Sequence, residues 1–173
     1  MRIIILNGSA NRGKDNFANF FKKHYKYVCL NWSTIDQVKM VSKKYFGWDG
    51  KKTDDARKFL SDIKRIWSDY NNGPFDNMVK QISKYNRNHK KDREYTIYFI
   101  HCREPREIQK FVDKYGNKCI TILLTRDDRE IPNNDSDKNV ANFNYDYVIN
   151  NNGDKKDLEN EAIKFVKIIK KSF

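Results

Sequence analysis

A chain of 173 residues is long enough for one substantial core, and with no run of 18 apolar residues it offers nothing to cross a membrane as a helix. Its formal charge of +12 (35 Lys and Arg against 23 Asp and Glu) implies polyanionic partners, while 14% aromatic residues supply large buried surfaces. Three dispersed cysteines, Cys29, Cys102 and Cys119, without a C-x-x-C pair, argue against a disulfide framework or a zinc site and fit reduced thiols in a soluble, cytoplasmic protein with no cleavable leader.

The first stretch in chain order is also the most informative. Ile3, Ile4, Ile5 and Leu6 form the continuous apolar run of a strand buried on both faces. Gly8-Ser9-Ala10-Asn11-Arg12-Gly13-Lys14-Asp15 follows, and then Phe17, Ala18, Phe20 and Phe21 at helical spacing. Strand, glycine-bounded loop with lysine, helix is the context in which a G-x-x-x-x-G-K string cradles phosphate. Gly8 lets the chain turn off the strand, and Gly13 lets the backbone approach an anion closely. Loop amides and the first helical turn then offer N–H donors where the helix dipole already favours negative charge. Lys14 adds a full charge that reaches the outer phosphates. The expected nucleotide-holding set is Gly8, Ser9, Ala10, Asn11, Arg12, Gly13, Lys14, Asp15 and Asn16. The simpler alternative is a tight strand-to-helix turn with an exposed lysine.

One position departs from the pattern. After the lysine a Ser or Thr hydroxyl usually ligates Mg²⁺, but here Asp15 and Asn16 stand. A carboxylate binds a hard cation, directly or through water, and also repels phosphate. Asp15 is therefore the candidate metal-holding residue, acting partly through water, and a neutral Thr in its place is expected to keep or raise activity.

Tyr27 to Leu30 reads as a second strand, and Ser33 or Thr34 can cap a helix running to about Phe46. Gly47-Trp48-Asp49-Gly50 is a turn, in which Trp48 either stacks on a base or, the favoured reading, pins the loop. Thr53 and Asp54 open a strongly periodic helix with Ala56, Phe59, Leu60, Ile63, Ile66, Trp67 and Tyr70 on one face and Arg57 and Lys64 opposite, Arg65 at the flank. On pattern alone those basic residues form a solvated face. Asn71-Asn72-Gly73-Pro74 ends this helix and starts another to about Asn88. Tyr95 to His101 is a central strand, followed at once by Cys102-Arg103-Glu104-Pro105, where an open α/β sheet lines its ligand crevice. A helix from Pro105 closes at Gly116, and Cys119 to Thr125 is a further buried strand. The polar segment 126–142 exceeds an ordinary connection and reads as a lid, with a short helix from Ser136. Tyr145 to Ile149 is the last strand, and Asp154 caps a final helix with Leu158, Ala162, Phe165, Val166 and Ile169 inward. Alternating strands and helices predict an α/β fold, a five-stranded parallel sheet in a three-layer α/β/α arrangement. The whole chain reads as a single domain with a helical insertion over 31–93 and the lid over 126–142.

Three stretches carry a family resemblance: Gly8 to Asp15, Arg103-Glu104-Pro105, and Thr125-Arg126 through Tyr145-Asp146-Tyr147-Val148-Ile149-Asn150-Asn151. Together they are similar to the P-loop nucleoside and deoxynucleoside monophosphate kinases, especially the short phage and bacterial forms. The resemblance implies a P-loop NTPase-type fold, ATP as donor, Mg²⁺, and a nucleoside monophosphate bound by the helical insertion. It implies that Lys14 and the loop amides hold the β- and γ-phosphates, and that Arg57, Arg65 and Arg103 hold the acceptor phosphate, with Glu104 orienting the acceptor or a metal-bound water. Arg126 and Arg129 would neutralise the transferring group, so Lys14, Arg103, Arg126 and Arg129 form the expected catalytic set.

Rival readings stay open. The N-K-x-D that reads guanine is absent after the fourth strand, which disfavours a GTPase. A kinase of another small acceptor, a coenzyme precursor, a sugar or a polynucleotide end, shares the same loop. A basic, non-catalytic nucleotide- or nucleic-acid-binding protein would explain Asp15 and the lack of an acidic residue at the end of the strand that finishes in His101. Nucleic acid thus remains a less favoured partner, and a homodimer is left open.

Overall fold

The computed structural model describes residues 1–127, 140 and 142–172. Five strands, β1 (Arg2–Asn7), β2 (Cys29–Ser33), β3 (Ile97–His101), β4 (Cys119–Thr125) and β5 (Tyr147–Asn150), form one parallel sheet in the order β2-β3-β1-β4-β5. Six α-helices accompany them among the described residues: α1 (Lys14–His24), α2 (Asp36–Tyr45), α3 (Asp54–Asn71), α4 (Gly73–Asn88), α5 (Pro105–Tyr115) and α6 (Lys155–Lys170). This is the expected α/β architecture, consistent with a P-loop kinase-like fold. None of these helices is long and apolar enough to cross a membrane.

The chain forms two compact units, Met1–Asn31 with Lys90–Phe173, and Trp32–His89. In the first, β1 is central, paired with β3 on one side and β4 on the other, and Ile3, Ile4, Ile5 and Leu6 are fully buried. Parallel pairing buries both faces of a strand, which is why its apolar run is continuous. Helices α1 and α6 pack together through aromatic rings: Phe165 lies 6.0 Å from both Phe17 and Phe21, and Phe21 meets Phe99 of β3 edge-on at 5.1 Å. The Asp154 carboxylate caps α6 by accepting from the Lys156 and Asp157 amides, and Asp157 returns the bond to the Asp154 amide.

The last strand starts two residues later than its apolar pattern predicts. The Asp146 carboxylate accepts from both the amide and the hydroxyl of Thr121, at 2.8 and 2.9 Å. A side chain thereby takes a β4 donor, and pairing begins at Tyr147 opposite Ile122. Strand β2 is likewise displaced, to Cys29–Ser33.

In the second unit α3 packs on α2 and α4. Leu60 is its one buried residue, while Ile66 and Tyr70 are 59% and 84% exposed. The periodicity predicts a longer inward face than forms. Ile66 sits at the edge of the stripe and Tyr70 in the last turn, beyond the cover of the neighbouring helices. Trp48 donates from Nε1 to the Lys51 carbonyl at 2.9 Å and lies under the Lys43 ammonium, so it pins its turn.

Candidate functional site

The loop between β1 and α1 leaves the carboxyl edge of the sheet, where open parallel sheets bind ligands. Its backbone takes left-handed φ values at Gly8 (139°), Asn11 (60°) and Gly13 (88°). A Cβ at Gly8 would run into the Leu124 carbonyl oxygen, and one at Gly13 would lie 2.6 Å from Asn151 Nδ2. Both glycines are therefore required by φ and by space together. Gly13 is the N-cap of α1, so the amides of the first helical turn stay available as donors. Lys14 Nζ donates to the carbonyls of Gly8 and Ser9, at 2.5 and 2.6 Å, which holds the ammonium against the loop's own first turn.

Two asparagines fix this loop from below. Asn7, fully buried at the end of β1, accepts the Gly8 amide on Oδ1 at 2.7 Å. Its Nδ2 donates to the Arg103 carbonyl at 3.2 Å and to the Tyr145 hydroxyl at 2.6 Å. Tyr145 donates onward to the Val140 carbonyl at 2.7 Å. Burial pushes the Tyr145 phenol up to about 12, partly opposed by its bond from Asn7, so it remains a proton donor at neutral pH. Asn151, after β5, donates from Nδ2 to the Arg12 carbonyl at 3.1 Å and from its backbone amide to the Thr125 carbonyl. Neither asparagine was singled out by the sequence. Asn7 ends β1, a position at which a polar side chain in an otherwise apolar run is itself a signal.

The structure brings Arg103 and Glu104 to the same sheet edge as the loop, because the Arg103 carbonyl is tied through Asn7 to Gly8. Arg126 follows β4 directly and is exposed. Next to it the Asp127 amide donates to Asn152 Oδ1 at 2.6 Å, and Asn152 Nδ2 returns a bond to the Asp127 carboxylate. Arg129, most of the expected lid and the expected helix from Ser136 lie outside the described residues. Arg57 and Arg65 lie on α3 of the second unit, each beside carboxylates of its own helix: Arg57 with Asp54 at 3.2 Å, and Arg65 with Asp62 and Asp69 at 3.9 and 3.7 Å.

Asp15, in the first turn of α1, lies 3.4 Å from His101 Nε2 at the end of β3 and accepts from Asn31 Nδ2 at 3.3 Å. His101 Nε2 is also 2.7 Å from Asn31 Oδ1. Asp15 thus offers a carboxylate, a hard oxygen group of the kind that suits Mg²⁺ held largely through water, while among the described residues no cluster of three or more His, Cys, Asp or Glu side chains forms a metal site. Cys29, Cys102 and Cys119 are buried free thiols, and burial pushes Cys29 and Cys119 up to about 12.

No protein-family model and no curated protein matches this chain. Solved structures do, among them the unliganded crystal structure of a sugar kinase from Janibacter sp. HTCC2649. It aligns over 99% of this chain and 98% of its own, with a TM-score of 0.50 and 10% sequence identity. At that identity the likeness is one of fold.

Proposed function

We propose that this protein transfers a phosphoryl group from ATP to a small acceptor, and that the acceptor is a nucleoside or deoxynucleoside monophosphate. The observation that carries the reading is the β1–α1 loop: glycines at φ 139° and 88° around a helix N-terminus with Lys14 folded against them. That is an anion cradle of backbone donors with a lysine ammonium beside it, at the sheet edge where nucleotides bind.

Phosphoryl transfer asks a protein mainly for positioning and charge neutralisation. The loop amides and Lys14 would hold the β- and γ-phosphates. Arg103 would reach the acceptor phosphate, its backbone already fixed by Asn7; Arg57 and Arg65 are assigned to acceptor binding by the sequence resemblance, and each would first leave its helix carboxylates. Glu104 would orient the acceptor. Arg126 would neutralise the transferring group, and Arg129 shares this role by its place in the sequence. Mg²⁺, when bound, spreads the phosphate charge, and Asp15 would hold its water shell.

The acceptor class rests on the sequence resemblance alone. The solved structure similar in fold bears the name sugar kinase, so sugars form the second acceptor class to examine. The deciding experiment is a panel of ribo- and deoxynucleoside monophosphates and sugars with ATP and Mg²⁺, scored for phosphorylated product. Diphosphate from at least one monophosphate supports the reading; product from sugars alone moves the acceptor; no product from any acceptor removes catalysis and leaves nucleotide binding.

A further inference from the structure

Two departures from the P-loop pattern meet in space. In P-loop enzymes the divalent cation is held by a Ser or Thr hydroxyl in the loop and an acid at a strand end. Here the hydroxyl position is Asp15 and the end of the strand beside β1 is His101, and the two side chains are 3.4 Å apart. We propose that Asp15 and His101 work as one unit in which the carboxylate has moved from the strand to the loop and the strand supplies the group that orients it. The proposal rests on the reading that the loop binds a nucleotide, and it assigns Asn31 and His101 a role that neither the motif nor the fold provides.

The contacts assign the parts. His101 Nε2 lies 2.7 Å from Asn31 Oδ1 and 3.4 Å from Asp15 Oδ1, so the tautomer that suits both neighbours carries the proton on Nε2 and donates to Asn31, with Asp15 at ion-pair distance. A donating nitrogen is not at the same time a metal ligand; His101 is a positioning residue. Asn31 donates to the same Asp15 oxygen at 3.3 Å. Both contacts fall on Oδ1, and neither uses Oδ2, which is the atom left to take a cation or its water. The pair also joins a well-covered group to an open one: the His101 side chain is 16% exposed and Asp15 80%. An exposed carboxylate at a helix start would otherwise turn freely among its χ1 rotamers, and Asn31 with His101 beside it restricts it. Charge is conserved relative to the usual arrangement, one carboxylate in each. This reverses the expectation drawn from the sequence alone, that a Thr at position 15 serves at least as well: with His101 opposite, Thr would leave an acid at neither the loop position nor the strand end.

The test uses binding and not turnover. ADP affinity of the intact protein is measured by titration with and without Mn²⁺, a paramagnetic stand-in for Mg²⁺ whose protein-bound fraction is read by electron spin resonance. The wild type is expected to bind ADP at least tenfold tighter with Mn²⁺ than without. Asp15→Thr should lose most of that ratio, with a metal-free ADP affinity at or above that of the wild type because the loop loses a charge that repels phosphate. Asp15→Thr with His101→Asp, which returns the acid to the strand and the hydroxyl to the loop, should recover the ratio to within about threefold. His101→Ala should lower it less than Asp15→Thr does. A ratio unchanged in Asp15→Thr, or no recovery in the double variant although it melts like the wild type, overturns the pairing. A wild type that binds ADP equally with and without Mn²⁺ also overturns it while leaving the phosphate-binding loop intact; one that binds no ADP at all removes both.

Discussion

The two groups of basic residues expected to meet phosphate sit in very different surroundings. Lys14 and Arg103 belong to a sheet edge whose backbone is fixed by buried polar side chains: Asn7 alone joins Gly8, Arg103 and Tyr145. Arg57 and Arg65 belong to a helix surface, more than half exposed, and their partners are carboxylates three or four residues away on the same helix. Breaking a buried network leaves donors without water and costs about 1–3 kcal/mol per group. An exposed helix pair is worth only about 0.3–0.5 kcal/mol and is easily exchanged for a ligand's phosphate. The first region is built before any ligand arrives. The second is free to rearrange when one does.

The largest expected effect comes from Lys14→Ala, which should reduce phosphoryl transfer at least about a thousandfold, comparable with loss of other transition-state charge contacts. Its melting temperature should stay near the wild type, because the two bonds it loses run only to carbonyls of its own loop, five and six residues away. Gly13→Ala tests the fixed backbone next. A Cβ at φ 88° and 2.6 Å from Asn151 Nδ2 forces the loop or Asn151 to move, and the left-handed conformation alone costs about 1–2 kcal/mol. Urea unfolding should show that loss, and calorimetry should show weakened ADP binding.

Tyr145→Phe removes one hydroxyl from the buried network and should cost about 1–2 kcal/mol in urea unfolding. It should also lower kcat more than it changes the Kd for ATP, because the backbone of Arg103 and Val140 loses a shared tie. Equal loss in both would make Tyr145 a stability residue only. Arg57→Ala and Arg65→Ala, by contrast, should each change stability by less than about 0.5 kcal/mol and raise the KM for the acceptor with the ATP Kd unchanged. If neither alters acceptor kinetics, α3 carries only a solvated basic face. The smallest effect concerns the thiols. With Cys29 and Cys119 pushed up to about 12, both stay protonated through pH 8, and iodoacetamide should label the native protein far more slowly than the urea-unfolded one, read by mass spectrometry.

The β1–α1 stretch was legible because everything that shapes it is local: an apolar run, two glycines, a lysine and a helix within the first 21 residues. The cap of α6 by Asp154 and the close of α5 at Gly116 were legible for the same reason. Asn7, Asn31, His101, Tyr145 and Asn151 were not, since each acts through partners far away in sequence. Asn7 meets Tyr145 across 138 positions, Asn151 meets Arg12 across 139, and His101 meets Asn31 across 70. Only the strand order brings these together. Asn7 and His101 share a feature that could have marked them, a polar residue at the end of a buried strand, which in a parallel sheet faces the ligand edge, whereas Asn31 lies mid-strand on the exposed part of β2. The α3 pattern misled in the opposite sense, because periodicity reports which face could be buried and not how far along the helix a neighbour extends.

The claim on which the rest depends is that the loop grips a nucleotide for phosphoryl transfer. Its most direct measurement is diphosphate formation from the monophosphate panel with ATP and Mg²⁺, run side by side on the wild type and Lys14→Ala, with both proteins shown to be folded. The account predicts product from the wild type with at least one nucleoside monophosphate and none above background from Lys14→Ala. Product formed equally well by the two proteins, or by neither with any acceptor, would contradict it.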